Sequence, residues 1–570
     1  MTFPIQDIPF SYRGSWFGIS PVVAEQTLAD DLHLVSHQTG MHPVLRFGVA
    51  EDAVVLATPA LLTWQRGAGR VELVYQSPDT IRLRGERLGL CIAAAAGTLT
   101  PFSGTYLYRD PVTGAFVFTS YETGRRYRVT VLTGEAERIA GVEALGTAER
   151  SLSLPADRPW EVAIEEYTAG RAPYRAGATF DQLHRAAELT FASFVEAVAP
   201  WRSPATPAAE LAAYVLWSAT VRPAGFVTRP AVLMSKHWMD KVWSWDHCFN
   251  ALALAAGEPE LAWHQFQLPF DHQDDAGALP DSITHSEVLY NFVKPPIHGW
   301  AWRRLRDLGL PVARQDLMQA YERMSRWASF WLETRRVPGH ELPHYQHGND
   351  SGWDNATTFD GARVVESADL AAFLVVQLRC LVELAAELGE PAGRWAEAAD
   401  RLCEALLSEL WTGERFEARA AGTGSRRASG SLLDLMPIVL GDDLPASVAA
   451  ALARGIERHL TAHGPATEQV ESPEYEADGY WRGPIWAPST VLIEDGLRRA
   501  GHAGLADEIS QRFRQLCEKS GFAENFDAET GAGLRDRAYT WTASAYLILA
   551  AAHERRTRRQ AAVELIERDG

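Results

Sequence analysis

The periodicity of the chain changes near Thr179, and this change constrains the fold more than any other feature. Before it, short β-branched and aromatic runs are separated by Gly, Pro, Asp and Asn, a pattern typical of strands and turns. The predicted strands lie at 54–57, 71–75, 81–84, 105–108, 115–118 and 127–132, with a hairpin loop at 110–114. The first pattern therefore predicts a β-sandwich-like N-terminal domain over residues 1–175.

After Thr179, apolar residues recur at the three- and four-residue spacing of amphipathic helices. A helix over 180–198 lies in a predicted helical linker, residues 176–204. Further helices are predicted to begin near residues 206, 245, 259, 295, 314, 366, 392, 444, 485, 503 and 540. Short and long connections alternate between them, which favours paired helices. We therefore predict an α+β multidomain chain in which residues 205–560 form an (α/α)6 toroid.

Composition excludes several classes of protein. The net charge is −19, and the 54 Lys and Arg residues are spread thinly, which argues against a nucleic-acid partner. The five cysteines are far apart and form no CxxC pair. No apolar run is long enough to span a membrane, and the N-terminal residues lack the pattern of a secretory signal. We expect a cytoplasmic protein without a membrane or nucleic-acid partner, and the sequence leaves open whether it forms a homo-oligomer.

Tryptophan is unusually abundant, with 19 residues. A single Trp is ordinarily explained by core packing, but several here stand beside Asp, Gly, Arg or Pro. Indole faces can stack on the C–H faces of sugars while the N–H group donates a hydrogen bond. The set that predicts a carbohydrate cleft is Trp243, Trp245, Trp300, Trp302, Trp353, Trp481, Trp486 and Trp541.

Five loops combine Trp, Asp or Glu and Gly at the start of a predicted helix. They lie at 238–246, 273–300, 343–354, 480–486 and 521–527. In the third loop Asp354 directly follows Trp353, and an indole that excludes water from a carboxyl group favours its protonated form. Glu524 stands beside Asn525 in a polar loop, where we expect it to stay ionised. Such a pair divides the roles of general acid and general base.

These loops resemble those of glycoside hydrolase family 63, a group of inverting α-glycosidases with an (α/α)6 barrel that is related to the trehalases and to mannosylglycerate and glucosylglycerate hydrolases. The resemblance covers roughly residues 205–555, and Tyr480–Trp486 is its most specific part. It implies that the toroid is the catalytic domain, with Asp354 as general acid and Glu524 as general base. It also implies that Asp246 holds hydroxyls of the cleaved sugar. Phe526 stands where many relatives carry Tyr.

The resemblance and the five loops together predict a set of substrate-binding residues around this acid/base pair. That set is Trp243, Trp245, Asp246, Gln273, Asp281, Lys294, Trp300, Trp353, Tyr480, Trp481, Arg482, Gly483, Trp486 and Trp541. No HExxH or EF-hand spacing occurs, so we predict neither a metal site nor a cofactor.

Inverting hydrolysis needs two carboxyl groups roughly 6.5 to 9.5 Å apart, with water between them. Acids as distant in sequence as Asp354 and Glu524 meet this condition when the helices close on themselves. Asp246 is a rival for the role of acid. We predict an α-glucosidase-like enzyme that releases glucose or mannose from a small α-glycoside or oligosaccharide, with a glycosylglycerate as one option. The alternatives are a glycoside phosphorylase and a carbohydrate-binding protein without catalysis.

Overall fold

The computed structural model describes the backbone of residues 1–569 and the side chains of residues 1–561. Its N-terminal region is rich in sheet. The strands there are β1 (Phe17–Ala24), β2 (Thr27–Ser36), β3 (His42–Gly48), β4 (Val54–Ala57), β5 (Leu62–Arg66), β6 (Gly69–Ser77), β7 (Thr80–Glu86), β8 (Leu90–Ala94), β9 (Thr105–Arg109), β10 (Phe116–Ser120), β11 (Arg126–Thr133), β12 (Arg138–Ala140), β13 (Ser151–Leu154) and β14 (Trp160–Tyr167).

These strands form two antiparallel sheets. One has six strands in the order β1-β2-β3-β8-β13-β12, and the other has eight in the order β4-β5-β6-β7-β14-β11-β10-β9. The six strands predicted from the sequence all belong to the eight-stranded sheet and are confirmed. The hairpin predicted at 110–114 is also present, since Asp110 and Ala115 pair through their backbones at its base.

The rest of the chain is mainly helical. Its helices are α1 (Phe180–Val198), α2 (Ala209–Ala219), α3 (His247–Leu254), α4 (Pro259–Gln267), α5 (His298–Asp307), α6 (Arg314–Ser329), α7 (Ala368–Leu388), α8 (Gly393–Ala405), α9 (Ala446–His459), α10 (Ala487–Arg499), α11 (Ala503–Ser520) and α12 (Thr540–Asp569). Each begins at or shortly after the predicted position. The expectation of a sheet-rich N-terminal region followed by a helical region is therefore confirmed. None of the described helices is both long and apolar enough to span a membrane.

Short elements connect the helices. A 3-10 segment covers Leu432–Asp443, and four small antiparallel pairings lie in the loops. The strands of these pairings are Thr220–Val221 with Ala231–Val232; Val242–Trp243, Ser282–Ile283 and Val288–Leu289; Val365–Glu366, Ala418–Ala420 and Arg426–Arg427; and Asn525–Phe526 with Gly533–Leu534. Sequence patterns did not predict the 3-10 segment, because its apolar run contains Pro437 and lacks a helical period.

The chain divides into two compact units. The first comprises Met1–Ala197, Ala213–Lys241 and Thr284–Ser286, and the second comprises Val198–Ala212, Val242–Ile283 and the chain from Glu287 onward. The units interleave along the chain, whereas the predicted domains were consecutive blocks that divide at residues 175 and 205. Those boundaries stay a prediction.

In the first unit, α1 packs its apolar face on the sheet region. Phe180, Leu183 and Ala187 recur at helical spacing and are buried against Ala60 and Val74. This contact explains the strict period of the predicted connecting helix.

In the second unit, a series of neighbouring elements returns to its starting point. Helix α3 contacts α5, α5 contacts α7, and α7 contacts the 3-10 segment Leu432–Asp443. That segment contacts α10, α10 contacts α12, and α12 contacts α3. The loops that precede the five helices of this series are those in which the sequence concentrates Trp, Asp and Glu.

The contact between α10 and the 3-10 segment depends on a glycine. A Cβ on Gly496 would lie 2.5 Å from the carbonyl oxygen of Ile438 and 2.7 Å from its carbon. Backbone atoms cannot move aside as a flexible side chain can, so a larger residue would push the two elements apart.

We therefore expect Gly496→Ala to destabilise the helical unit by about 1–3 kcal/mol, the usual range for overpacking. Gly504 on α11 is a matched control, because a Cβ there would meet no atom within 4 Å. Thermal unfolding followed by tryptophan fluorescence should show a lower midpoint for Gly496→Ala and an unchanged or higher midpoint for Gly504→Ala. Equal midpoints would contradict the tight contact.

Candidate active site

A buried ammonium group lies among three carboxyl groups in the loops of the second unit. Lys294 Nζ is 3.2 Å from Asp281 Oδ1 and 3.9 Å from Asp354 Oδ1. It also donates to the carbonyl of Asn349 at 2.8 Å. Burial alone would lower the pKa of Lys294, but Asp354, Asp281 and Asp246 outweigh it and raise the pKa. Lys294 therefore stays charged and neutralises much of the negative charge around it.

Asp246 is the residue directly before α3 and is 4% exposed. Burial raises its pKa to about 8, against the lowering effect of Lys294. Among the residues that the structure describes, none forms a hydrogen bond with its Oδ2 atom. A largely protonated carboxyl group with an uncommitted oxygen is suited to exchange hydrogen bonds with a sugar hydroxyl.

Glu524 precedes the short strand Asn525–Phe526 and is 3% exposed. Its backbone N–H donates to Asp536 O at 2.7 Å. The pKa of its carboxyl group is raised to about 8, first by burial and then by the charge of Asp536, against the lowering effects of Arg535 and a hydrogen bond from Tyr480. The prediction that Glu524 lies in a polar loop and stays ionised is therefore wrong, because the loop folds into a buried pairing.

Asp354 lies at the edge of this buried region. Its side chain is 29% exposed. Trp353, by contrast, is 1% exposed and packs on Trp481, with ring centroids 4.6 Å apart. The indole beside the acid thus belongs to a packed aromatic wall.

That wall runs through five buried indoles. Trp481 stacks on Trp486 with centroids 4.0 Å apart and an interplanar angle of 5°. Trp541 meets Trp486 edge-on at 5.4 Å and Trp245 at 6.0 Å. Together with Trp353 they form one contiguous surface, which fixes the loops of three helices relative to each other.

Two buried tyrosines lie close enough to the carboxyl groups to be affected by their charges. The hydroxyl of Tyr480 donates to Glu524 Oε1 at 3.3 Å. The pKa of Tyr480 is raised by burial and then by the charges of Glu524 and Asp354. The pKa of Tyr539 is likewise raised by burial and by the charges of Glu524 and Asp246. The structure thus brings Asp246, Asp354 and Glu524 into one site. Sequence analysis missed Tyr539, although it stands only two residues before the singled-out Trp541.

The remaining predicted residues divide into three groups. Trp243 joins the site, since Lys294 Nζ lies 5.6 Å from its ring centroid. Arg482 and Gly483 support the loop around Tyr480, through Asp360 and Thr467 respectively. Gln273 and Trp300 bond elsewhere in the unit, as Gln273 donates to Gly277 O and Trp300 donates to Asp495.

Within the described part of the chain, no three His, Cys, Asp or Glu side chains are grouped so that they could hold a metal ion. The cation that the three aspartates share is the Lys294 ammonium.

Residues 239–542 match the family model of the mannosylglycerate hydrolase MGH1-like glycoside hydrolase domain. This match spans more than half of the chain and contains every site residue described above. The chain belongs to this family. It is accordingly a glycoside hydrolase of the family 63 type.

Curated relatives cover part of this chain. A mannosylglycerate hydrolase of Rubrobacter radiotolerans is 25% identical, over 57% of this chain and 92% of that protein. A glucosylglycerate hydrolase of Mycolicibacterium hassiacum is 23% identical, over 57% of this chain and 94% of its own length.

Solved structures show the same fold. The family 63 mannosylglycerate hydrolase of Thermus thermophilus, in complex with glucose, aligns with a TM-score of 0.53 at 22% identity, over 60% of this chain and 99% of that one. A bacterial glucoamylase complexed with acarbose aligns over 97% of this chain and 96% of its own, with a TM-score of 0.63 at 12% identity. Both regions of this chain therefore have counterparts in one glucoamylase chain.

Burial of Glu524 has a consequence for stability. Its pKa rises from an ordinary 4.5 in the unfolded chain to about 8 in the folded one, so the folded state favours the protonated carboxyl group. The stability that this proton contributes is complete below pH 4.5 and is lost as pH rises towards 8, by at most about 1.4 kcal/mol per pH unit.

We therefore expect Glu524→Gln, which stays neutral, to gain stability relative to the unsubstituted enzyme as pH rises from 5 to 8. The difference between the two unfolding midpoints, measured across this range, cancels the titrations that both proteins share. A difference that is constant with pH would contradict the raised pKa.

Proposed function

We propose that this protein is an inverting α-glycosidase that releases glucose or mannose from a small α-glycoside, with the site held by an (α/α)6 toroid. The observation that carries the proposal is the position of Tyr480. Its hydroxyl donates to Glu524, and the charge of Asp354 raises its pKa. Two carboxyl groups from distant loops therefore lie near the same tyrosine. The returning series of helix contacts supports the toroid.

In the proposed reaction, Asp354 donates its proton to the glycosidic oxygen as the bond from that oxygen to the anomeric carbon breaks. Glu524, as a carboxylate, takes a proton from the water that attacks the opposite face of the same carbon. One proton is given and one is taken, and the released sugar has the β configuration. Asp246 and Lys294 would hold hydroxyls of the sugar, and the aromatic wall would stack on its ring.

The relatives suggest the aglycone. They are named as hydrolases of mannosylglycerate and glucosylglycerate. A glycosylglycerate is therefore the first substrate to test, and neutral α-glucosides are the second. Release of the β-sugar, followed by proton NMR, would support the inverting mechanism. Release of the α-sugar, or turnover that requires added phosphate, would refute it.

The catalytic role of Glu524 predicts an unusual pH profile. A general base must be ionised, and burial raises the pKa of Glu524 to about 8. The rising limb of kcat/KM should therefore have its midpoint near pH 8. Because Arg535 lowers this pKa, Arg535→Gln should move the midpoint to higher pH. A rising limb near pH 5, unaffected by Arg535→Gln, would show that Glu524 is not the base.

The two acids can be distinguished by rescue experiments. We expect Asp354→Asn and Glu524→Ala each to lower kcat by about 10²- to 10⁴-fold, as is usual for general acids and bases. An α-glycosyl fluoride needs no proton on its leaving group, so it should restore turnover to Asp354→Asn. Azide ion needs no base to attack, so with a natural α-glycoside Glu524→Ala should form a β-glycosyl azide.

Asp246 is the second candidate for the general acid, because its buried carboxyl group has a pKa raised to about 8 and is protonated at neutral pH. The fluoride substrate decides between the two. If it restores turnover to Asp246→Asn and not to Asp354→Asn, the role of acid passes to Asp246.

A further inference from the structure

Asn355, which follows Asp354, bonds to the loop that carries Tyr480. Its Oδ1 accepts from the backbone N–H of Trp481 at 3.0 Å, and its Nδ2 donates to the carbonyl of Gly479 at 2.9 Å. One amide side chain therefore holds the backbone on both sides of Tyr480. We call these two bonds the Asn355 clamp.

Tyr480 has a backbone conformation that a bulky residue rarely adopts. Its φ is +64°, in the left-handed region where a Cβ is unfavourable. Its carbonyl accepts from Trp486 Nε1 at 2.8 Å, and the Arg535 guanidinium lies 4.9 Å from its ring centroid. Strain of this kind persists where surrounding contacts over-determine the conformation. Here the conformation directs the tyrosine hydroxyl at Glu524.

We propose that Asn355 is a positioning residue that couples Asp354 to Glu524. It lies in the loop of Asp354, and its clamp keeps the Tyr480 hydroxyl in contact with Glu524. This inference rests on the proposed roles of the two acids. The clamp needs one donor and one acceptor on a short planar group. Alanine provides neither, and serine can reach at most one of the two partners.

The loop of Asp354 has other attachments, so removal of the clamp should act on Tyr480 and leave the loop in place. Arg482 Nε donates to the carbonyl of Asn355 at 2.8 Å, a bond that does not use the side chain. Thr357 Oγ1 donates to Glu468 Oε2 at 2.7 Å. Thr357→Val is therefore a matched control, because it removes one buried bond from the same loop without touching the clamp.

The hydrogen bond from Tyr480 lowers the pKa of Glu524 against the effect of burial. If Asn355→Ala releases Tyr480, this bond is lost and Glu524 should titrate about one pH unit higher, the effect of one hydrogen bond to a charged group. Tyr480→Phe should produce the same shift. Since both changes remove the same bond, Asn355→Ala combined with Tyr480→Phe should add nothing further.

The titration is measured without substrate. For each variant, a second protein carries the same substitution together with Glu524→Gln. The difference between the unfolding midpoints of the two proteins, measured from pH 5 to 10, reports the titration of Glu524 in that variant. We expect shifted and non-additive curves for Asn355→Ala and Tyr480→Phe, and an unshifted curve for Thr357→Val. In turnover, Asn355→Ala should lower kcat about tenfold or more and change KM less.

An unshifted curve for Asn355→Ala, or shifts that add in the double variant, would overturn the proposal. If Asn355→Ala does not fold, Asn355→Ser takes its place, with a smaller shift expected and no shift again overturning the proposal. Because this titration needs no sugar, it is independent of the proposed function. Failure to hydrolyse any α-glycoside would refute that function and leave the coupling of Asn355 to Glu524 testable.

Discussion

The site depends on the pairing of one buried charge. Lys294 is removed from water, and a lone ammonium group in such a place would lose its proton or destabilise the fold. Asp281, Asp354 and the carbonyl of Asn349 compensate it. Asp281 lies in the same loop as Lys294, whereas Asn349 and Asp354 lie together in the loop at 343–354. Since breaking a buried pair leaves the other charge uncompensated, the loops that supply these groups must stay together.

The aromatic wall also holds loops together, through apolar contacts where Lys294 acts through charge. Trp245 and Trp353 come from two loops, Trp481 and Trp486 come from a third, and Trp541 lies at the start of α12. All five are buried against each other. Large flat rings bury much area with little loss of conformational freedom, so they can hold loops that have little regular structure. The carboxyl groups then occupy defined positions at the edge of this wall.

The sequence predicts the fold more completely than it predicts the site. Helix positions followed from apolar periodicity, because amphipathic helices repeat their burial at a fixed spacing. The protonation of Glu524 did not follow, because Asn525 and Asp527 make its segment look polar although a short pairing buries it. Trp300 is a related case: its polar neighbours suggested a cleft, and in the structure its indole N–H donates to Asp495, so its place in the cleft stays a prediction. Burial of a short loop depends on elements far away in sequence.

The sequence by itself determined the division into strands and helices, the family and the loops that carry the site, since these are encoded in local period and local motif. The tertiary structure alone decided the partners of Lys294, the raised pKa values of Asp246 and Glu524, and the left-handed backbone of Tyr480. The physical reason is that desolvation and charge pairing are properties of a site, and a site exists once distant loops meet.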